Sequence, residues 1–309
     1  MLDFFVSLFS QAQQLLFEEI LVPLLFAMGM ANFLEDGLMA SGWFVAGCVQ
    51  LLLIVTVIGS LQRWRPVRAV QDHATVRTDM LYTLLHRLGL FRLLVFFLLK
   101  PWLDELFGVL RVAGLETWHL DALWPGVTDR PLVSLLIYLL AFDLFAYWLH
   151  RAQHHFNVLW RLHSLHHAQR ELTMWSDNRN HLLDDLLRHV LQAVLAQLIG
   201  VPPAQYVAIV VLTQLSESLQ HANVRLWFGR WGERLWISPC FHRRHHGLDG
   251  MNHNFGVLLP WWDMLFGTAR FQHRFDPTGV PDQLESSRDY GLGFWSQQWQ
   301  GLKRLVGQA

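Results

Sequence analysis

Charged side chains are scarce in this chain of 309 residues. Asp, Glu, Lys and Arg make up 16%, against roughly 25% in ordinary soluble domains. That shortage argues against a surface wholly exposed to water. A net charge of −1 offers no basic footprint for nucleic acid. The only cysteines are Cys48 and Cys240, which argues against a disulfide scaffold and rules out a four-cysteine metal site. Gly-x-Gly-x-x-Gly turns and Walker-type loops are missing, so no nucleotide or flavin site is encoded and reducing equivalents would come from a separate protein. The N-terminus lacks a basic region and a small-residue cleavage site, so insertion by a first spanning helix is expected rather than a cleaved leader.

What is abundant is apolar. Hydrophobic residues reach 52%, with 15 Trp and 21 Phe, rings of the kind enriched at membrane interfaces. Four apolar stretches precede the histidine-rich region: 15–34, 42–59, 81–99 and 132–149. Their lengths suit a hydrocarbon core of about 30 Å. The third contains His86, Arg87 and Arg92, and the fourth contains Asp143. Arg63, Arg65, Arg68 and Arg77 follow the second stretch, whereas Glu35 and Asp36 follow the first. The positive-inside rule then places 60–80, and everything just after Leu149, in the cytoplasm. Two shorter apolar arms flank Val201-Pro202-Pro203, as in a helical hairpin over 186–219 that dips into the bilayer and returns. The tail carries Phe294, Trp295, Trp299, Leu302, Leu305 and Val306, a spacing for a helix lying in the interface or packed on the cap.

The expected fold is therefore all-α: a multi-spanning helical membrane protein with a cytoplasmic, histidine-rich helical cap. Residues 1–130 form an N-terminal membrane region, 131–273 the catalytic domain and 274–309 a C-terminal interfacial tail.

Seventeen histidines are present, and three groups stand out: His150-x-x-x-His154, His163-x-x-His166-His167 and His242-x-x-His245-His246. On a helix, residues three and four apart share a face, so each group can aim imidazoles at one point. By composition, His-x-x-His-His is expected about 0.05 times in this length, yet it occurs twice. Neutral imidazole suits Zn, Cu, Fe and Ni rather than Mg or Ca. Eight nitrogens exceed the needs of one ion, so two adjacent metals are expected. Glutamate is absent from the groups, which would make the site nearly all histidine. His221 returns to the same membrane face at the end of the second arm and is a ninth expected ligand. His181 is a further candidate for metal, whereas His155, next to His154, points to another face. Asp143 lies two turns before His150 and could accept an imidazole N–H or pair with an Arg.

The pattern resembles the fatty acid hydroxylase / sterol desaturase superfamily. The stretches that carry the resemblance are Asp143 to His154, Leu159-Trp160-Arg-Leu-His163-Ser-Leu-His166-His167, Ser238-Pro239-Cys-Phe-His242-Arg-Arg-His245-His246, and Asn254 to Thr268 with its Trp262-Asp263…Phe266-Gly267-Thr268. The resemblance covers roughly 131–270. It implies a non-haem di-iron centre with O2 as co-substrate, a lipid substrate, and electrons from a cytochrome b5-like, ferredoxin or reductase partner. By position, His150, His154, His163, His166, His167, His242, His245 and His246 would hold iron. His221 matches a further histidine between the later motifs, and Asn254 and Asp263 would support the ligands from behind. The family acts as hydroxylases or desaturases on sterol, fatty acyl, carotenoid or ether-lipid substrates. A divalent-metal transporter or metal sensor is the alternative, but transport calls for ligands near the middle of the spans, whereas these groups follow a span.

Overall fold

Apolar runs without two-residue alternation fold here as helices. The computed structural model describes residues 2–285 and 287–308, and among these no strand occurs. Helix α1, Leu2–Leu16, continues through a π-helical turn, Phe17–Leu21, into Val22–Ala27. Gly29, at φ 69°, breaks the chain, and α2 then runs over Ala31–Trp64. The expected stretch 15–34 is thus divided between two helices. Glu35 and Asp36 lie in the first turn of a helix rather than in a loop, where the positive end of the helix dipole favours carboxylates.

The stretch 81–99 is also divided. Helix α3, His73–Arg87, starts where the Asp72 side chain accepts the Thr75 N–H, an N-cap. Gly89, at φ 78°, ends it, and α4 follows over Leu90–Val112. Helix α5, Pro131–His155, has proline in its first turn, where the missing N–H costs nothing. Of these helices, α2 and α5 are long and apolar enough to cross a membrane, with mean hydropathies of 2.3 and 2.0.

Past α5, Phe156 takes an extended backbone and α6 begins, Asn157–His167. Helices α7, Leu182–Ile199, and α8, Pro203–His221, form the expected hairpin about Gly200. This glycine has φ 66°, and a Cβ there would lie 2.6 Å from the His119 ring. Next comes α9, Pro239–His245, capped by the Ser238 side chain on the Phe241 N–H. The short α10, Trp261–Leu265, follows, and α11 covers Phe294–Leu305.

A core of Tyr138, Leu139, Phe142, Ile199, Ile209, Leu258 and Leu259 packs α5 against the hairpin and the 254–260 loop. Ile54 and Ile58 of α2 meet Ala222 and Val224 just past His221. The C-terminal helix has two faces. Gln297, Gln298, Gly301 and Arg304 are buried, while Trp295 and Trp299 are 80% and 60% exposed. On the buried side Gln298 accepts the Leu182 N–H at 2.8 Å and donates to the Tyr82 hydroxyl at 2.8 Å. The inner face therefore packs on α3 and the start of α7.

Candidate metal centre

Four segments deliver the histidines. His150 and His154 are one turn apart at the end of α5, and His163, His166 and His167 complete α6. His221 is the last residue of α8, and His242, His245 and His246 lie along and just beyond α9. These segments place the imidazoles in two sets of four. His150, His154, His167 and His245 form one; His166, His221, His242 and His246 form the other. Within each set the donor atoms lie within 4.8 Å of one another. Neighbours on a helix point about 100° apart, so each His-His dipeptide sends one ring to each set. The stacked rings of His167 and His246, 4.4 Å between centroids, join the sets.

His163 belongs to neither set of four. It stands between them, its ring 5.1 Å from His154 and His167 and 5.3 Å from His166. His181 is a correction to the sequence reading. Its Nδ1 accepts the Leu183 N–H and its Nε2 faces the Gln298 carbonyl at 3.0 Å. Nδ1 thus caps α7 and Nε2 fastens it to α11, so both nitrogens are engaged, and His181 lies outside both sets. His155 is exposed. Cys240 also stands apart: burial pushes its thiol up to about 11, away from the thiolate that metals bind.

The residues fit a pair of metal ions. His221 Nε2 lies 3.1 Å from His166 Nε2 and from His242 Nε2, and an ion holding imidazoles at ~2.0–2.1 Å spaces their nitrogens by roughly 3 Å. Both ring nitrogens of His167 and His246, and Nε2 of His154, His163 and His245, are buried without a hydrogen-bond partner. Buried polar atoms are seldom left so. Burial, reinforced by neighbouring imidazoles, holds His166, His167, His242 and His246 well below the usual imidazole range. Burial brings His245 to about 3. Neutral rings present lone pairs, and no carboxylate enters either set, a donor set suited to borderline first-row metals.

Backbone carbonyls orient the rings from behind. His150 Nδ1 donates to the Phe255 carbonyl, His245 Nδ1 to that of His253, and His221 Nδ1 to that of Glu217, each at 2.8 Å. Such bonds fix the tautomer and leave Nε2 free for an ion. Asn254 and Asp263 hold the loop that supplies two of these carbonyls. Asp263 accepts the N–H groups of Phe255 and Gly256 at 2.8 and 2.7 Å. Asn254 sits at φ 60°, a conformation Asn tolerates, and bonds Phe241 and Arg270. Among the described residues neither side chain hydrogen-bonds an imidazole.

Asp143 departs from both expectations. It accepts N–H bonds from Leu258, Leu259 and Trp262 at 2.8–3.1 Å, so it ties the same loop to α5 and meets neither an imidazole nor an Arg. The carboxylate that faces an imidazole of the histidine groups is Asp184, missed from sequence. It lies 3.0 Å from His163 Nδ1 and accepts from Gln153 at 2.7 Å. The signal was its place beside Asp185 at the start of an apolar arm. Asp184→Asn should weaken metal retention about 10–100-fold, read by competition with a chelator; unchanged retention would deny Asp184 that role.

A cavity between α5, α7 and α8 reaches His150, His163, His166, His221 and His242 and extends back to Phe142, Tyr206 and Ile209.

Residues 135–268 match the family model described as fatty acid hydroxylase. Over 175 residues the chain is 31% identical to an ornithine lipid hydroxylase of Rhizobium tropici, covering 52% of this chain and 50% of that protein. It is 29% identical over 138 residues to a Delta(7)-sterol 5(6)-desaturase of Gibberella zeae, covering 45% and 42%. Human lathosterol oxidase is 23% identical over 202 residues, covering 62% and 66%. The chain spans about half the length of the first of these relatives. No solved structure matches significantly.

Proposed function

We propose that this chain, whose residues 135–268 match the fatty acid hydroxylase family model, is a member of the fatty acid hydroxylase / sterol desaturase superfamily and a membrane-bound, O2-dependent lipid hydroxylase or desaturase with a di-iron centre. The observation that carries the reading is the pair of four-imidazole sets built from the halves of two His-His dipeptides. In it, His150, His154, His167 and His245 hold one iron and His166, His221, His242 and His246 the other, with His163 between them and Asp184 behind it. The chain is multi-pass, with spans within 1–130 and α5 in the bilayer, the hairpin dips into it, and the histidines face the cytoplasm, as the arginines from Arg63 to Arg77 argue. Residues 131–273 form the catalytic domain, and the tail from 274 onward packs beneath it with Trp295 and Trp299 toward the interface.

The chemistry supplied with iron bound is activation of O2, with electrons from a cytochrome b5-like, ferredoxin or reductase partner, against an unactivated C–H bond. The protein's own part is positioning. The carbonyls of His253, Phe255 and Glu217 aim the rings, and Asp143, Asn254 and Asp263 keep two of those carbonyls in place. Burial of the sets keeps bulk water from the reacting atoms, and the cavity along α8 brings a lipid carbon to them. A transporter would need ligands at mid-span; here the sets gather at the ends of α5 and α8.

Lipid mass spectrometry of cells with and without the chain, grown under 18O2, tests this. A lipid that gains one 18O or loses two hydrogens only with the intact chain is the expected result. Unchanged lipids, with the protein present and carrying iron, would refute the oxygenase reading.

A further inference from the structure

Three ionisable side chains interrupt the apolar stretch 81–99, and two of them find carboxylate partners inside the bundle. His86 Nε2 lies 2.9 Å from Asp185. Arg87 lies 2.5 Å from Asp177 and also reaches Ser218 and the Gln214 carbonyl. Arg92 differs. Among the described residues no hydrogen bond or ion pair reaches its guanidinium. Its Cζ lies over the Trp43 ring, 3.4 Å from the centroid.

Arg92 lines the cavity that ends at the histidines, and Tyr206 lines it too. The Tyr206 ring stands edge-on to Trp43 at 6.4 Å and tilted against Phe142 at 5.5 Å. Arg188, the other arginine along the cavity, is already engaged, 2.7 Å from Asp185 and 4.0 Å from Glu217. Tyr206 also borders an open cleft at the hairpin tip, beside Gly200 and Pro203. The cavity thus has an unpaired cation at one end and the imidazole sets at the other. Fifteen residues of α8 separate Tyr206 from His221, roughly 22 Å of helix.

An unpaired guanidinium in an apolar bundle calls for an anion, and its planar fork matches the oxygens of a carboxylate or phosphate. We propose that Arg92, backed by Trp43 and flanked by Tyr206, binds the acidic group of an amphiphilic substrate whose chain runs along α8 to the histidines. The substrate class is then an anionic single-chain lipid, held by its head and oxidised at a carbon well down its chain. This rests on the cavity being the seat of the lipid substrate.

The test uses metal-loaded protein in phosphatidylcholine nanodiscs, with dodecanoate, dodecyl phosphate, dodecanol and inorganic phosphate as probes in equilibrium dialysis. Dodecanoate and dodecyl phosphate should bind about 10-fold or more tighter than dodecanol, as a charge-assisted bond predicts. Arg92→Gln should erase that preference with dodecanol affinity and metal content unchanged, while Arg92→Lys keeps part of it. Equal binding of acid and alcohol, or a preference that survives Arg92→Gln, would overturn the proposal. Displacement of dodecanoate by inorganic phosphate alone would also overturn it, since the site would then serve a free anion. If Arg92→Gln does not fold, Arg92→Lys and Tyr206→Phe decide: a preference undiminished in both counts against the site. Metal content and 18O2 labelling are read separately, so equal binding of acid and alcohol by the parent protein with oxidation intact removes only this inference.

Discussion

His166→Ala and His167→Ala should each lower the metal content of the purified protein from about two ions per chain to about one, because each removes a ligand from a different set of four. Oxidation should fall by more than ~100-fold in both, since loss of a ligand exceeds the effect of losing an outer partner. The double variant should hold essentially no metal. The paired comparison is sharper than either variant alone. Adjacent residues are nearly equivalent in sequence, yet one ring faces His221 at 5.0 Å and the other faces His154 at 4.6 Å. Metal analysis of iron-replete protein reads the outcome directly. Two ions retained in either single variant would dissolve the partition.

Arg179→Met should destabilise the fold by about 3–5 kcal/mol, because it strands a buried carboxylate. Arg179 Nε lies 2.5 Å from Asp79, with side chains only 4% and 0% exposed. Ser176 completes the contact at 3.2 Å. This pair fixes the turn from Thr173 to Asn180 against α3, immediately ahead of the α7 start that carries Asp184. Replacing Asp79 by Leu in the same chain should recover most of the loss, since removing both charges abolishes the uncompensated one. Thermal unfolding in detergent followed by circular dichroism measures both. An Arg179→Met protein as stable as the parent would mean that the pair contributes nothing.

How much of this was legible in the sequence depends on range. The ligand groups were legible because i, i+3 and i+4 spacing is local: the geometry of one helical turn says which rings can converge. Their division into two sets was not, because it depends on how α6 and α9 face each other across the 71 residues between them, 168–238. Asp143 illustrates the same limit. A carboxylate within an apolar helix signals a specific partner, but the partners are N–H groups 115 to 119 residues away. Helix breaks at Gly29 and Gly89 were missed for another reason. Hydropathy averages across a turn when both flanks are apolar, so the glycines, which take the left-handed conformation there, went unread. His181 stood as a further candidate for metal, and only the position of Gln298 reveals that its Nε2 is occupied.

The seat of His181 has a consequence for the order of assembly. Gly301 approaches that ring so closely that a Cβ would fall 2.1 Å from it, and Gln298 bonds the backbone at Leu182 and Asn180. Ribosomes deliver residues 294–305 after every histidine of the two sets. The bend that presents Asp184 to His163 therefore gains its outer clasp only when α11 emerges and docks, so a nascent chain halted short of it would carry all the ligands without that contact.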